Sequence, residues 1–342
     1  MKLGNVLFSA LIGLTVATVA APRPAEARRV RIKLGTLAPR GSKWLEAIER
    51  MKRRWKEVSD GQVTLTVYPG GVAGEESDVI RKMRVGQLQA ATITNIGLGV
   101  IDRSTVALQI PMMFRSYEEL DHVREEMGPE IARRLEDKGF VVLDWGDAGW
   151  VHFFSKVPAT TPAEMKQLKM YVWTGDPQAE AAWRKAGFDV VPTATSDVLQ
   201  GLQTGRLEAF AIVPLYALAQ QWFGVAKHMT PVKWAPLSGA TVVTKSAWDK
   251  IAPELQAKLK AIAAEESQAS RDQIRGLGQK AIDAMKERGL VVHEIDEETR
   301  KAWRSTAESA YPVIRGEVVP QEDFEKVERL LREFREARGA DR

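Results

Sequence analysis

The side chains best placed to do chemistry are aromatic, and they come at strand spacing. In MYVWTGDP, residues 170–177, Tyr171 and Trp173 are two apart, so on a strand their rings share one face while Met170 and Val172 take the other. Two large rings on one face can wall a binding site for a flat or apolar molecule, or they can fill a core; both roles are open to each ring. The run stops at once in Gly175, Asp176 and Pro177. Asp176, directly before a proline, suits a helix N-cap, and the free amides that follow it, or those at Ser196, could hold an anion. Trp150, Phe154, Phe210 and Trp222 are further aromatic candidates for the same wall. From the first half of the chain come Thr36, Ser42 and Trp44 on one strand-to-helix loop, Arg40 and Lys43 as possible anion holders, and Asn95 as a polar contact.

Bond-making chemistry finds no support. The four histidines (His122, His152, His228, His293) are scattered, and neither G-x-S-x-G nor H-E-x-x-H occurs. No tight group of His, Asp and Glu suggests a metal, so neither a catalytic residue nor a cofactor is expected. The absence of cysteine excludes disulfides, thiolate ligands and a lipid-modified cysteine.

The N-terminus reads as a secretory signal peptide over residues 1–27: Lys2, an apolar run, then Ala25, Glu26, Ala27 as a small-x-small cleavage site. The apolar run is about 16 residues, short of the roughly 20 that a spanning helix needs. Two cations and one anion leave with this segment, so the net charge falls from +4 to +3. That excess is too small and too evenly spread to argue for nucleic acid or a membrane surface. The remaining 315 residues exceed what one core holds comfortably, and two lobes are expected.

Positioning the candidate residues requires alternating strands and helices. RVRIKLGTLA reads as a strand; Ser42 then caps a helix with Trp44, Ile48, Met51, Trp55 and Val58 at spacings of three and four. QVTLTVYPGG, EESDVIRKMRVG and LQAATIT continue a β-α-β-α-β run, the pattern of a doubly wound parallel sheet. Two helical segments follow around 117–138, then strands FVVLDWG and WVHFFSKV, and a capping box Thr161 to Glu164 with Pro162 at its first position. The second half repeats the alternation, which implies two sheets, each wrapped by helices. Residues 253–288 read as a rod of about 54 Å if unbroken, long enough to touch both lobes, although Gly276 and Gly278 allow a bend. The charged tail FEKVERLLREFREARGADR reads as a surface helix that frays.

The ordered set IKLGTLAPRGSKW, YPGGVAGEE, IPMMFRSYEE, TPAEMKQLK and LQTGRLEA, with the long helix behind it, resembles the DctP-like solute-binding proteins of tripartite ATP-independent periplasmic (TRAP) transporters over about residues 31–290. The resemblance implies an α/β, two-lobe periplasmic binding protein fold with a long helix bridging both lobes. It places residues 28–150 and 240–279 in one lobe and 151–239 and 280–342 in the other. It also implies a periplasmic receptor that closes around a small solute, usually an organic acid, and delivers it to the membrane permease subunits of a TRAP transporter. A binding protein serving a sensor kinase or another transporter class is the rival reading, and the neighbouring genes discriminate between them. By the same resemblance Glu76 matches a Glu that the family uses in or near its cleft. Ligands of open α/β sheets lie beyond the carboxyl ends of strands, which points to TLAPRGSKW, TNIGLGVID, WTGDP and TATSD.

Three departures bear on the solute. The family's carboxylate-clamping Arg falls on Tyr171, a second basic position falls on Val151, and Phe210 and Ile212 stand near positions where the family has polar groups. A pocket that discriminates by aromatic and apolar contact is the expectation, with Trp173, Tyr171, Asp176, Trp150, Phe154, Phe210, Glu76, Asn95, Arg40 and Thr36 as its candidate residues.

Overall fold

A computed structural model describes residues 29–339; the expected signal peptide lies outside the described residues. In chain order the strands are β1 (Val30–Thr36), β2 (Val63–Tyr68), β3 (Ala90–Thr94), β4 (Phe140–Trp150), β5 (His152–Ser155), β6 (Met170–Trp173), β7 (Val190–Thr193), β8 (Ala209–Ile212), β9 (His228–Thr230), β10 (Pro236–Thr244) and β11 (Val291–Val292). The helices are α1 (Lys43–Val58), α2 (Glu76–Arg84), α3 (Asn95–Gly99), α4 (Tyr117–Asp137), α5 (Pro162–Met165), α6 (Pro177–Lys185), α7 (Val198–Thr204), α8 (Pro214–Ala219), α9 (Lys245–Trp248), α10 (Pro253–Lys286), α11 (Glu297–Val313) and α12 (Gln321–Ala337).

Local chemistry fixes several boundaries. Ser42 accepts the Leu45 amide at 3.3 Å to start α1, and Thr161 and Glu164 form the reciprocal capping box of α5. Asp176 accepts the Ala179 amide at 3.0 Å to start α6, with Pro177 at the first helical position. In α4 the expected two segments are one continuous helix. Pro129 sits inside it, and the buried stripe Leu120, Val123, Met127, Ile131 and Leu135 at helical spacing holds both halves on one core.

Two sheets result. The first has the order β2-β1-β3-β10-β4 and the second β11-β9-β5-β8-β6-β7. β1 is parallel to β2 and β3, as the β-α-β-α-β pattern predicts, but β10 enters antiparallel between β3 and β4, so the sheet is mixed rather than wholly parallel. The division drawn from sequence at 239/240 falls inside β10, whose residues pair with the first sheet from Pro236 to Thr244.

The chain crosses between sheets at few points. β4 runs into β5 through the single residue Val151, and the return from β9 to β10 lies alongside: Val151 donates its N–H to Ala235 O and accepts the Trp234 amide, both at 2.9 Å. The third crossing is α10, unbroken through Gly276 and Gly278 and, at 34 residues, about 51 Å long. Its Leu259, Ile262 and Ala263 bury in the core under the first sheet with Trp55 and Trp248, and its Met285 in the core of the second with Phe154, Phe210 and Trp222.

The C-terminal tail departs from expectation. α12 buries Phe324, Val327, Leu330 and Leu331 and lies against α4, with Arg335 bonded to Glu119 at 2.8 Å; it does not fray on the surface.

Candidate ligand-binding site

Between the two sheets lies a cavity of about 340 Å³. The carboxyl end of β1, the β3–α3 turn and Gln109 form its first side. The end of β6, helix α6, the start of α8 and the β4–β5 crossing form the other. Trp44, Tyr171, Trp173, Trp183, Tyr216 and Trp222 are among its aromatic walls. Tyr171, Tyr216 and Trp222 meet edge to face at ring separations of 5.6–5.8 Å, and Trp183 stacks on Trp234 at 5.2 Å. Such arrangements fix ring orientation and leave flat faces for a ligand.

The two halves are shut on each other. Glu75, one residue before α2, projects across the cleft: its carboxylate accepts the Thr195 amide at 2.7 Å, the Thr195 hydroxyl at 3.0 Å and the Trp173 indole N–H. Arg103 lies 3.8 Å from Asp176, again across the cleft. Trp44 donates its indole N–H to Asp147 O at 3.2 Å, and its ring comes within 6.4 Å of Tyr216.

Of the residues singled out in the sequence, Thr36, Glu76, Tyr171, Trp173 and Asp176 stand in the cavity wall, as do Trp44 and Trp222. Five do not. Phe154 and Phe210 are paired in register, stack at 4.9 Å and are fully buried beneath α7 and α8; Ala211, next on the strand, faces the cavity instead. Trp150 is buried against Tyr117, with Lys233 over its ring. Asn95 is enclosed behind the wall and donates to Ser238 Oγ at 2.7 Å. Arg40 is exposed on the loop after β1. Sequence reasoning missed Glu75, Gln109, Trp183, Tyr216 and Trp234, which reach the cleft only when remote segments come together, whereas Thr195 lies in TATSD, one of the segments it pointed to. It also took the histidines as scattered, yet His228 and His293 lie 3.0 Å apart at the β9–β11 edge, away from the cavity. Among the described residues no group of three or more His, Cys, Asp or Glu could hold a metal ion.

Glu76 is 2% exposed, and Gly97 is where it is for that reason: a Cβ there would meet the Glu76 Oε2 atom at 2.3 Å. Its carboxyl accepts the Thr94 amide at 2.9 Å and the Thr94 hydroxyl at 2.7 Å. Burial, opposed only in part by these bonds, pushes its pKa up to about 7. The native state therefore keeps a proton that the unfolded chain gives up above the ordinary carboxylate range, and stability from this group is present at low pH and lost as pH rises towards 7. Between pH 5.5 and 8 the loss comes to about 2 kcal/mol. Glu76→Gln is expected to flatten that part of the profile in melts taken at both pH values; an unchanged profile would show that Glu76 titrates normally.

Residues 34–315 match the profile of the bacterial extracellular solute-binding protein family 7, DctP. The chain is 27% identical over 302 residues to the C4-dicarboxylate-binding periplasmic protein DctP of Rhodobacter capsulatus, covering 87% of this chain and 90% of that one. It is 27% identical over 254 residues to the 2,3-diketo-L-gulonate-binding periplasmic protein YiaO of Escherichia coli K12, covering 72% and 75%. A TRAP periplasmic solute-binding protein of Roseobacter denitrificans with bound L-galactonate superposes with a TM-score of 0.80 at 21% identity, over 89% of this chain and 99% of that one. One of Sulfurospirillum deleyianum with bound succinate gives 0.81 at 19%, over the same shares. These likenesses show the two-lobe fold, and the family is one of binding proteins, not enzymes. With the profile spanning both sheets and the cleft between them, the chain belongs to family 7 of the bacterial extracellular solute-binding proteins, the DctP family.

Proposed function

We propose that this chain is an exported periplasmic receptor that closes its two lobes around a small organic solute with an aromatic or apolar body and delivers it to a TRAP-type, ion-gradient-driven permease. The observation that carries the reading is the cavity of about 340 Å³ at the sheet interface, walled by indole and phenol rings and bridged by Glu75. Relatives named for a C4-dicarboxylate and for 2,3-diketo-L-gulonate support an organic solute of that size range. The absence of any helix among the described residues long and apolar enough to cross a membrane accords with a periplasmic location. Hinge movement has a place to occur, at Val151, at the β9–β10 return and along α10.

A thermal-shift screen of refolded, ligand-stripped protein tests the binding half. A solute that binds only the folded state at 100 times its Kd adds about 2.7 kcal/mol. Compounds with aromatic or alicyclic bodies are expected to raise the Tm more than succinate or malate, and a screen led by the small dicarboxylates would overturn the apolar part of the reading. Delivery is tested by solute uptake in cells that carry the receptor with its neighbouring permease genes, with and without the receptor; equal uptake in both would sink it.

A further inference from the structure

The cavity wall contains no lysine, arginine or histidine among the described residues. Arg124 and Arg275 lie outside it, bonded to Asp147, and Arg103 donates to Val318 O at 2.9 Å and faces Asp176. The wall's other two carboxyl groups are bonded to hydroxyls instead, Glu76 to Thr94 and Asp144 to Thr241 and Ser267. Burial pushes Glu76 up to about 7 and Asp144 up to about 6, so Glu76 takes a proton first as pH falls. No cation faces Glu76 from the elements packed on α2. β3 meets it with Thr94, α3 with Gly97, and β1 packs on α2 through Gly35 and Val79. On α2 itself Asp78 pairs with Arg81, and Lys82 donates to Ala73 O. Glu75 adds only negative charge, and the phenols of Tyr171 and Tyr216 are held neutral by burial.

The Glu76–Thr94 pair can run in either direction. With Glu76 ionised, the single hydroxyl hydrogen of Thr94 is spent on Glu76 Oε2 at 2.7 Å, and only lone pairs of Thr94 Oγ1 are left for the cavity. With Glu76 protonated, the same 2.7 Å contact is donated by Glu76. Thr94 Oγ1 then accepts from Glu76 and from the Gly97 amide at 3.4 Å, and its hydrogen is free to turn into the cavity. Other hydroxyls of this wall are already donors of that kind: Thr36 accepts the Ala38 amide at 3.2 Å and Ser238 accepts Asn95 Nδ2 at 2.7 Å, which leaves each its hydrogen, and Thr92 stands beside Thr36 in register. A solute carboxylate closed in beside an ionised Glu76 would meet a like charge and a lone pair, and two carboxylates sharing one site cannot both stay ionised cheaply. Resting on the solute-receptor reading above, we propose that the cleft takes in the carboxylate of its solute together with one proton from solvent, held on Glu76, which turns the Thr94 hydroxyl round to donate to the solute.

The test is calorimetry on ligand-free protein at pH 6 and pH 8 with phenylacetate, cyclohexanecarboxylate and galacturonate, whose own carboxyl groups stay ionised over that range. Affinity is expected to fall about tenfold from pH 6 to pH 8, because above the Glu76 range the proton must be taken up on binding. Titrations at pH 8 in phosphate and in Tris, which differ in ionisation enthalpy, are expected to show close to one proton taken up per solute. Glu76→Gln keeps the shape, and its amide N–H supplies the donated bond at every pH, so this variant is expected to lose the uptake and to bind about tenfold more tightly than the parent at pH 8. A probe that binds with no proton uptake and a flat profile sinks the proposal and leaves the cleft as a receptor site. Uptake that survives in Glu76→Gln overturns the role of Glu76. A panel in which no probe binds counts against the receptor reading, and the proposal falls with it.

Discussion

Asp147→Ala is expected to lower the melting temperature by at least about 6 °C. The side chain of Asp147 is 1% exposed and lies between two arginines from different helices, Arg124 on α4 and Arg275 on α10. Removing one partner of a buried charge pair costs about 3–5 kcal/mol, because the other charge stays buried without compensation. Here Asp121 still bonds Arg124 and Arg275, which puts the expected loss near the lower figure, about 3 kcal/mol. At roughly 2 °C per kcal/mol for a chain of this size, that gives the stated shift. Asp147 also lies on β4 a few residues before the crossing at Val151, so the same pairs tie α4 and α10 to the strand that leads between the sheets. Calorimetric melts of the ligand-free protein read the effect. A shift under 1 °C would mean that the arginines re-solvate freely and that the cluster adds no rigidity at the base of the cleft.

The sequence exposes this architecture wherever the cause is local. Ser42, the Thr161 and Glu164 pair, and Asp176 before Pro177 mark helix starts because each cap is closed within a few residues. The apolar period of α10 predicts the bridging rod, and the two-residue period of Tyr171 and Trp173 puts both rings at the cavity. What failed depended on remote partners. Nothing in PLSGATVVT specifies that it pairs antiparallel between β3 and β4, since its partners lie near residues 90 and 145. In α12 the apolar residues Phe324, Val327, Leu330 and Leu331 do fall at helical spacing, a signal hidden by the density of charge around them. Phe154 and Phe210 look like wall residues by type, but strand alternation turns both into the core. The carboxylate of Glu75 is invisible to a one-dimensional reading because its partners are about 100 and 120 residues away.

That carboxylate governs closure. All three donors to Glu75, the Trp173 indole, the Thr195 amide and the Thr195 hydroxyl, belong to the opposite side of the cleft, so these bonds exist only when the lobes are shut. A hydrogen bond to a charged group contributes about 1.5–3 kcal/mol net. The three share one carboxylate and are not additive, so Glu75→Ala is expected to shift the open-to-closed balance by about 2.7 kcal/mol and to raise the solute Kd about 100-fold. The change should fall on dissociation, since the open form that meets the solute keeps its surfaces and only the shut form loses its latch. Trp173→Ala is expected to act in the same direction with little loss of fold, because the ring is half-buried at the cavity and not part of the core. If the indole works mainly through Glu75, the double variant will be weaker than either single one by less than the sum of the two effects, which a double-mutant cycle on Kd measures. Full additivity would separate the ring's contact with solute from the latch. A Glu75→Ala protein that holds its solute within threefold of the parent would remove the latch altogether and leave closure to the solute's own contacts.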